Sequence, residues 1–188
     1  KKIMNQYKHD TYFFIHNAGI HGPIGKIDNL DYDKWIEAFQ INLFSGVLIL
    51  QHILKNILTN GGGCIFLAGG GSAGSMPNFT SYSCSKSSIV RLVENISEEY
   101  PKLRAHCISP GPNKTRLLNE AINNGVSVNE NRIVQTDKVF DLCEYLISND
   151  CSNLSGRQIH VKEDYKKINF SKLLNDEYKL RRFINENN

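Results

Sequence analysis

Short apolar runs that stop at small residues alternate with long stretches of helical periodicity, and this alternation constrains the fold more than any other feature of the chain. Tyr12-Phe13-Phe14-Ile15-His16 is a β-favouring run that ends at Asn17-Ala18-Gly19, where small residues let the backbone approach something closely. Asp31 can cap a helix whose apolar positions Trp35, Ile36, Phe39, Leu43, Val47, Leu50, Leu54 and Ile57 recur at helical spacing until Gly61-Gly62-Gly63 terminates it. Cys64 to Ala68 reads as a second strand, followed by the flexible Gly69 to Ser75 loop. Thr80 to Tyr100 is helical again, with Ile89, Leu92, Val93 and Ile96 on one stripe. Leu103 to Ser109 is a third strand ending at Pro110-Gly111-Pro112, a helix is expected near Thr136 to Ser148, and Gly156 to Val161 is a fourth strand. Such a pattern predicts an α/β fold with a doubly wound parallel sheet and ligands at the carboxyl ends of the strands. Residues 1–165 form that domain, and 166–188 form a polar tail with room for a short helix around Leu173 to Phe183.

Composition narrows the class. With 40% hydrophobic and 22% charged residues in 188, the chain reads as one soluble globular domain rather than a disordered or fibrous one. Its net charge of +3 is spread along the chain, with small basic clusters that read as solvated surface and not as a nucleic-acid patch. The apolar stretch Ile41 to Leu50 is interrupted by Asn42, Ser45 and Gly46, which favours a buried helix over a membrane span. The amino terminus shows no secretory signal pattern. Five cysteines make no CxxC pair and leave an odd count, so reduced thiols in a cytoplasmic protein are expected. The six histidines show no metal-ligand spacing, and no metal site is expected.

Tyr82 and Lys86 stand four residues apart, so a helix presents a phenol and an ammonium on one face. A cation one turn away favours the phenolate and lowers the phenol's pKa, which suits a group that hands a proton to a carbonyl oxygen or takes one from an alcohol. The spacing alone is weak evidence. The order Asn17-Ala18-Gly19, then Asn42 within a helix, then Tyr82 and Lys86, then Pro110-Gly111 with Thr115 resembles the short-chain dehydrogenase/reductase family over about Tyr12 to Val161. The Pro-Gly motif with its threonine is similar to the compact branch. A Rossmann-like fold and an NAD or NADP cofactor follow from that resemblance.

The resemblance implies a general acid/base in Tyr82, a Lys86 that lowers the tyrosine's pKa and bonds the nicotinamide ribose hydroxyls, and an Asn42 that holds a relay water. Asn17, Ala18 and Gly19 would lie on the adenosine side of the cofactor, with Pro110, Gly111 and Thr115 near the nicotinamide amide. Plainer readings stand beside these. Asn42 could be solvated or bonded to backbone, Asn17 to Gly19 could be a simple strand-ending turn, and Thr115 could cap the next helix.

Two departures bear on activity. The family's serine upstream of the tyrosine, whose hydroxyl bonds the substrate carbonyl, corresponds here to Ala68 or Gly69, and Ser72 or Ser75 could substitute only if the glycine loop folds inward. His16 also stands where the family has the first Asn of NNAG. The glycine-rich turn that meets the cofactor's pyrophosphate does not occur in the chain, so roughly 70 residues of family fold are expected upstream of Lys1, leaving Tyr12 to His16 as an apolar edge. The resemblance implies an oxidoreductase that passes a hydride between nicotinamide and a carbonyl or alcohol of a small molecule. A catalytically impaired binding or assembly module is the alternative. A homodimer or homotetramer is expected through the helices Asp31 to Leu58 and Thr80 to Tyr100, with neither nucleic acid nor membrane as partner.

Overall fold

The structure, a computed structural model, describes residues 6–7, 10–169 and 172–181. Four strands form one parallel sheet in the order β1 (Phe13–His16), β2 (Gly63–Leu67), β3 (Arg104–Ser109), β4 (Gln158–His160). Phe14 sits beside Cys64, Cys64 beside Ala105, and Ile108 beside Ile159. A strand's period of two then divides the side chains between two cores. Cys64, Phe66, Ala105 and Cys107 pack on one face with Leu50, Ile57, Ile89 and Val93, whereas Ile65, Ile108 and Ile159 pack on the other with Leu142, Leu146 and Leu154. Both faces are covered, as the uninterrupted apolar character of β2 requires.

Helix α1 (Tyr32–Phe39) starts at Asp31, whose carboxylate accepts from Lys34 N–H. It passes through a π turn at Gln40–Phe44 into α2 (Ser45–Thr59). Helix α3 (Thr80–Glu99) follows the glycine loop, in which Gly70–Ala73 forms a 3-10 turn. After β3 come α4 (Arg116–Asn123) and α5 (Asp137–Ser148). The strand and helix expectations ahead of the tail hold within a few residues, and α4 starts directly after Thr115.

The stretch Ile41 to Leu50 is only half buried. Asn42, Gly46 and Leu50 lie against the protein, whereas Phe44, Leu48 and Ile49 are 51%, 57% and 45% exposed, because the helix covers the sheet with one face and nothing among the described residues covers the other. β1 is likewise an edge strand, with Ile15 exposed.

The described part of the tail forms turns. Tyr178 takes a positive φ of 61°, its carbonyl accepts from Gln158 N–H on β4, and Arg157 reaches the carbonyls of Leu174 and Glu177. Arg181 and Lys179 close on the buried Glu94 of α3, which Arg91 also pairs. Tail backbone groups are thus turned outward to β4 and α3 rather than inward to a helix ladder. Arg182 and Phe183, at the end of the expected tail helix, lie outside the described residues.

Candidate active site

The carboxyl ends of β1, β2 and β3 deliver three loops to the first turns of α3, and the residues singled out in the sequence meet there. Tyr82 and Lys86 are buried, one turn apart. The Lys86 ammonium donates to the Leu67 carbonyl at the end of β2, 2.9 Å away, and lies 5.7 Å from the centre of the Tyr82 ring. Gly19 comes so close that a Cβ there would meet Lys86 Nζ at 3.3 Å and Asn42 Oδ1 at 3.5 Å. That close approach explains the small residues after β1.

Asn42 is fully buried in the π turn. Its Oδ1 accepts from Ile20 N–H at 2.8 Å, and its Nδ2 donates to Ile20 O at 2.9 Å and to Ser85 Oγ at 2.9 Å. Both amide protons are therefore used, which leaves a single lone pair on Oδ1. The backbone-bonded reading of Asn42 is the one realised. His16 packs beside Gly46 and Phe66, with Nε2 3.0 Å from Ser45 Oγ, and Ser45 in turn donates to Ile41 O in the π turn.

Burial dominates the electrostatics. It pushes the Tyr82 phenol up to about 12 and the Lys86 ammonium down to about 8. The sequence suggests the opposite for Tyr82, with the cation pulling the phenol down. Here the ammonium is spent on a carbonyl, and desolvation of the ring prevails. At neutral pH the pair is a neutral phenol beside a mostly protonated amine, the state that donates a proton.

Among the described residues, neither Ser72 nor Ser75 hydrogen-bonds Tyr82 in place of the serine that the family resemblance leads one to expect. Ser72 is buried and accepts from Gln158 Nε2 at 2.8 Å, while Ser75 is exposed. Gly69 has φ +74° and its Cβ would come within 3.0 Å of Pro110 Cδ; a Cβ on Gly70 would overlap the Tyr82 ring. The loop therefore folds onto the tyrosine as bare backbone. At the end of β3, Gly111 takes φ +65°, and Asn113 Nδ2 donates to the carbonyls of Pro110 and Gly111, both at 2.9 Å. Asn113 Oδ1 is buried with no partner among the described residues. Thr115 caps α4 by accepting from Leu118 N–H.

Sequence reasoning missed His21. It is buried, its ring stands edge-on to Tyr82 with centroids 4.8 Å apart, and its Nδ1 lies 3.0 Å from Glu120 Oε2 on α4. Burial lowers its pKa first, the Glu120 bond and charge oppose that, and Lys86 lowers it further. His21 and Glu120 border a cavity of about 870 Å³ between the Ile20 to Leu30 loop, α1 and α4, whose walls also carry Lys34, Arg116, Asn119 and Asn123. At a sequence separation of 99, no local signal joins these two residues.

A family model described as enoyl-(acyl carrier protein) reductase matches residues 1–164. An uncharacterized oxidoreductase of Schizosaccharomyces pombe is 32% identical over 97 residues, which is 52% of this chain and 39% of the relative. The (+)-borneol dehydrogenase 1 of Salvia officinalis is 29% identical over 166 residues, covering 81% of this chain and 64% of its own length. The chain thus spans less than two thirds of these relatives. Among solved structures, a short chain dehydrogenase from Salmonella enterica serovar Typhi superposes with a TM-score of 0.74 at 22% identity, over 86% of this chain and 66% of that one, which is likeness of fold.

Proposed function

The chain belongs to the short-chain dehydrogenase/reductase family, and on that premise we propose that it serves an NAD(P)-dependent oxidoreductase in which Tyr82 moves the proton to or from a small carbonyl or alcohol substrate. The observation that carries this is the convergence of Tyr82, Lys86, Asn42 and Gly19 at the strand ends, where even a Cβ on Gly19 would stand 3.3 Å from Lys86 Nζ. Borneol, the alcohol named for one relative, is a cyclic secondary alcohol and belongs to the substrate class proposed.

The residues present fit the nicotinamide end of such a cofactor. Lys86 keeps two N–H groups beyond its bond to Leu67 O for ribose hydroxyls, and the orphaned Asn113 Oδ1 is an acceptor suited to a carboxamide N–H beside Pro110, Gly111 and Thr115. Asn17, Ala18 and Gly19 offer close-approach backbone on the adenosine side. When bound, the nicotinamide supplies or takes the hydride.

The chain's own part is proton handling and orientation. Tyr82, kept neutral by burial, donates its hydroxyl hydrogen bond to the substrate oxygen and its proton as the oxygen becomes an alcohol. Lys86 holds positive charge one turn away and so favours the phenolate left behind. The remaining Oδ1 lone pair of Asn42 serves the relay water, and the Asn42 clasp on Ile20 keeps the strand-end loop in place. Without the serine donor, turnover is reduced by a factor on the order of 10²–10³ relative to a site that has one.

A binding module without turnover is the second reading, favoured by the missing hydroxyl at Tyr82. The exposed Phe44, Val47, Leu48 and Ile49 support a second copy on α2, as a homodimer or homotetramer, and five unpaired cysteines support a reducing, cytoplasmic setting. Residues 1–165 act as the catalytic part and 166–188 as its tail. A fluorescence titration of NADH and NADPH against the natural full-length protein tests the enzyme reading: saturable binding of either one upholds it, and no binding at millimolar concentration removes its chemistry.

A further inference from the structure

His21 is enclosed more completely than a residue in a strand-end loop needs to be. Asn42 clasps the peptide of the preceding Ile20 from both sides, and the His21 carbonyl accepts from Ser81 Oγ at 2.8 Å. Gly22, at φ +72°, presses the next turn onto Ser81 and Ala38 so tightly that a Cβ would stand 2.7 Å from the Ser81 hydroxyl and 2.8 Å from the Ala38 methyl. The backbone is therefore fixed before the side chain is considered. The ring lies edge-on between Phe79 at 5.1 Å and Tyr82 at 4.8 Å, and its polar anchor among the described residues is Glu120, whose side chain is 48% exposed at the cavity wall.

We propose that His21, held by Glu120, is a positioning residue for Tyr82, bracing the phenol from the substrate side and tying α4 to the loop behind it. The proposal rests on the reading of Tyr82 as the proton donor. Its chemistry is that of a carboxylate–imidazole pair. An ionised carboxylate accepts only, so a neutral His21 must donate through Nδ1, which leaves Nε2 as the ring's acceptor and locks the ring plane. A locked imidazole edge against the phenol restricts Tyr82 to one orientation, and a displacement of about 1 Å at a reacting group can cost on the order of 10²-fold in rate. Sequence spacing gives no reason for a histidine here, and packing alone gives none for a carboxylate partner drawn from a separate helix.

The ionisable groups around His21 are Glu120 and Arg116 on α4, Tyr82 and Lys86 on α3, and Asp31, Lys34 and Glu37 at α1. Of these, Glu120 raises the His21 pKa and Lys86 lowers it, while burial lowers it most.

The test uses NMR of the full-length protein, with ¹⁵N-labelled histidine and ¹³C-labelled tyrosine, so that no substrate is needed. The wild type should show the Nδ1–H tautomer for His21. Glu120→Gln, which keeps an acceptor at an exposed position but removes its charge, should lower the His21 titration midpoint and shift the Tyr82 ring signals. His21→Ala should speed Tyr82 ring flips about 10-fold or more, and His21→Asn, which restores an N–H to Glu120, should recover part of that restriction. An Nε2–H tautomer, or Tyr82 signals and flip rates that none of the three variants moves, overturns the proposal. These signals exist whether or not the protein turns over a substrate, so failure here is distinct from failure of the enzyme reading, which a loss of NADH and NADPH binding would expose.

Discussion

Asn42 grips Ile20 at both ends of its backbone, accepting from its N–H at 2.8 Å and donating to its carbonyl at 2.9 Å. A buried side-chain amide thereby acts as a strand partner for a loop that has none. It links the π turn of the α1–α2 helix to the segment after β1, and through Ser85 it reaches α3. The three elements that carry the site are joined at one residue.

Replacing that residue should therefore cost stability as well as function. Asn42→Ala removes three buried hydrogen bonds at about 1 kcal/mol each and leaves Ile20 unsatisfied, so a loss of about 2–4 kcal/mol is expected in urea denaturation. A loss below about 0.5 kcal/mol would show that the loop holds its place without the clasp.

Putting back the family's serine should not restore a faster enzyme. At Gly69 the backbone sits at φ +74° and a Cβ would stand 3.0 Å from Pro110 Cδ. Gly69→Ser should lose about 1–2 kcal/mol of stability, with a lower Tm and no gain in turnover. An increase in kcat at unchanged Tm would mean that the glycine loop can relax and present a hydroxyl.

Acid sensitivity is expected from His106, whose ring is fully buried in β3 and whose pKa is pushed down to about 4, chiefly by burial and against the opposing pull of the Leu154 backbone. The folded-state pKa lies below the ordinary value of 6.5, so the unfolded chain binds the extra proton between the two values. Stability is then complete above about pH 6.5 and is lost as pH falls towards 4, by up to about 3 kcal/mol from this group. His106→Gln should flatten the pH dependence of denaturation over that window, and an unchanged slope would assign the sensitivity to other groups.

The outward face of α2 carries the assembly prediction. Leu48 and Ile49 are exposed apolar side chains on a helix whose opposite face lies on the sheet. Leu48→Lys with Ile49→Glu should lower the mass of the full-length protein in light scattering to a half or a quarter of its native value. A monomeric wild type would remove the proposed interface.

Much of this molecule is written locally. Asp31 and Thr115 stand where their side chains reach the N–H three residues on, and Phe13 to His16 and Cys64 to Leu67 are short enough and apolar enough to be strands in a covered sheet. Asn17 to Gly19, Tyr82, Lys86 and Pro110-Gly111 could be read as strand-end features because each is a short motif with its own spacing. What escaped depends on distant pairing. His21 meets Glu120 from 99 positions away, Ser72 meets Gln158 from 86, and Glu94 collects Arg181 from 87. The upward shift of Tyr82 escaped for another reason: four-residue spacing shows that a cation is near, whereas the direction of the shift is decided by how deeply the ring is buried.

The proton-donor role of Tyr82 is tested most directly by Tyr82→Phe in the full-length protein, measured for borneol oxidation with NAD⁺ and NADP⁺ and across a set of small aldehydes, ketones and secondary alcohols, alongside cofactor affinity. Turnover in the wild type that falls at least about 10³-fold in the variant, with NADH or NADPH affinity changed less than about 3-fold, is the predicted result. Equal turnover in the two proteins would contradict it.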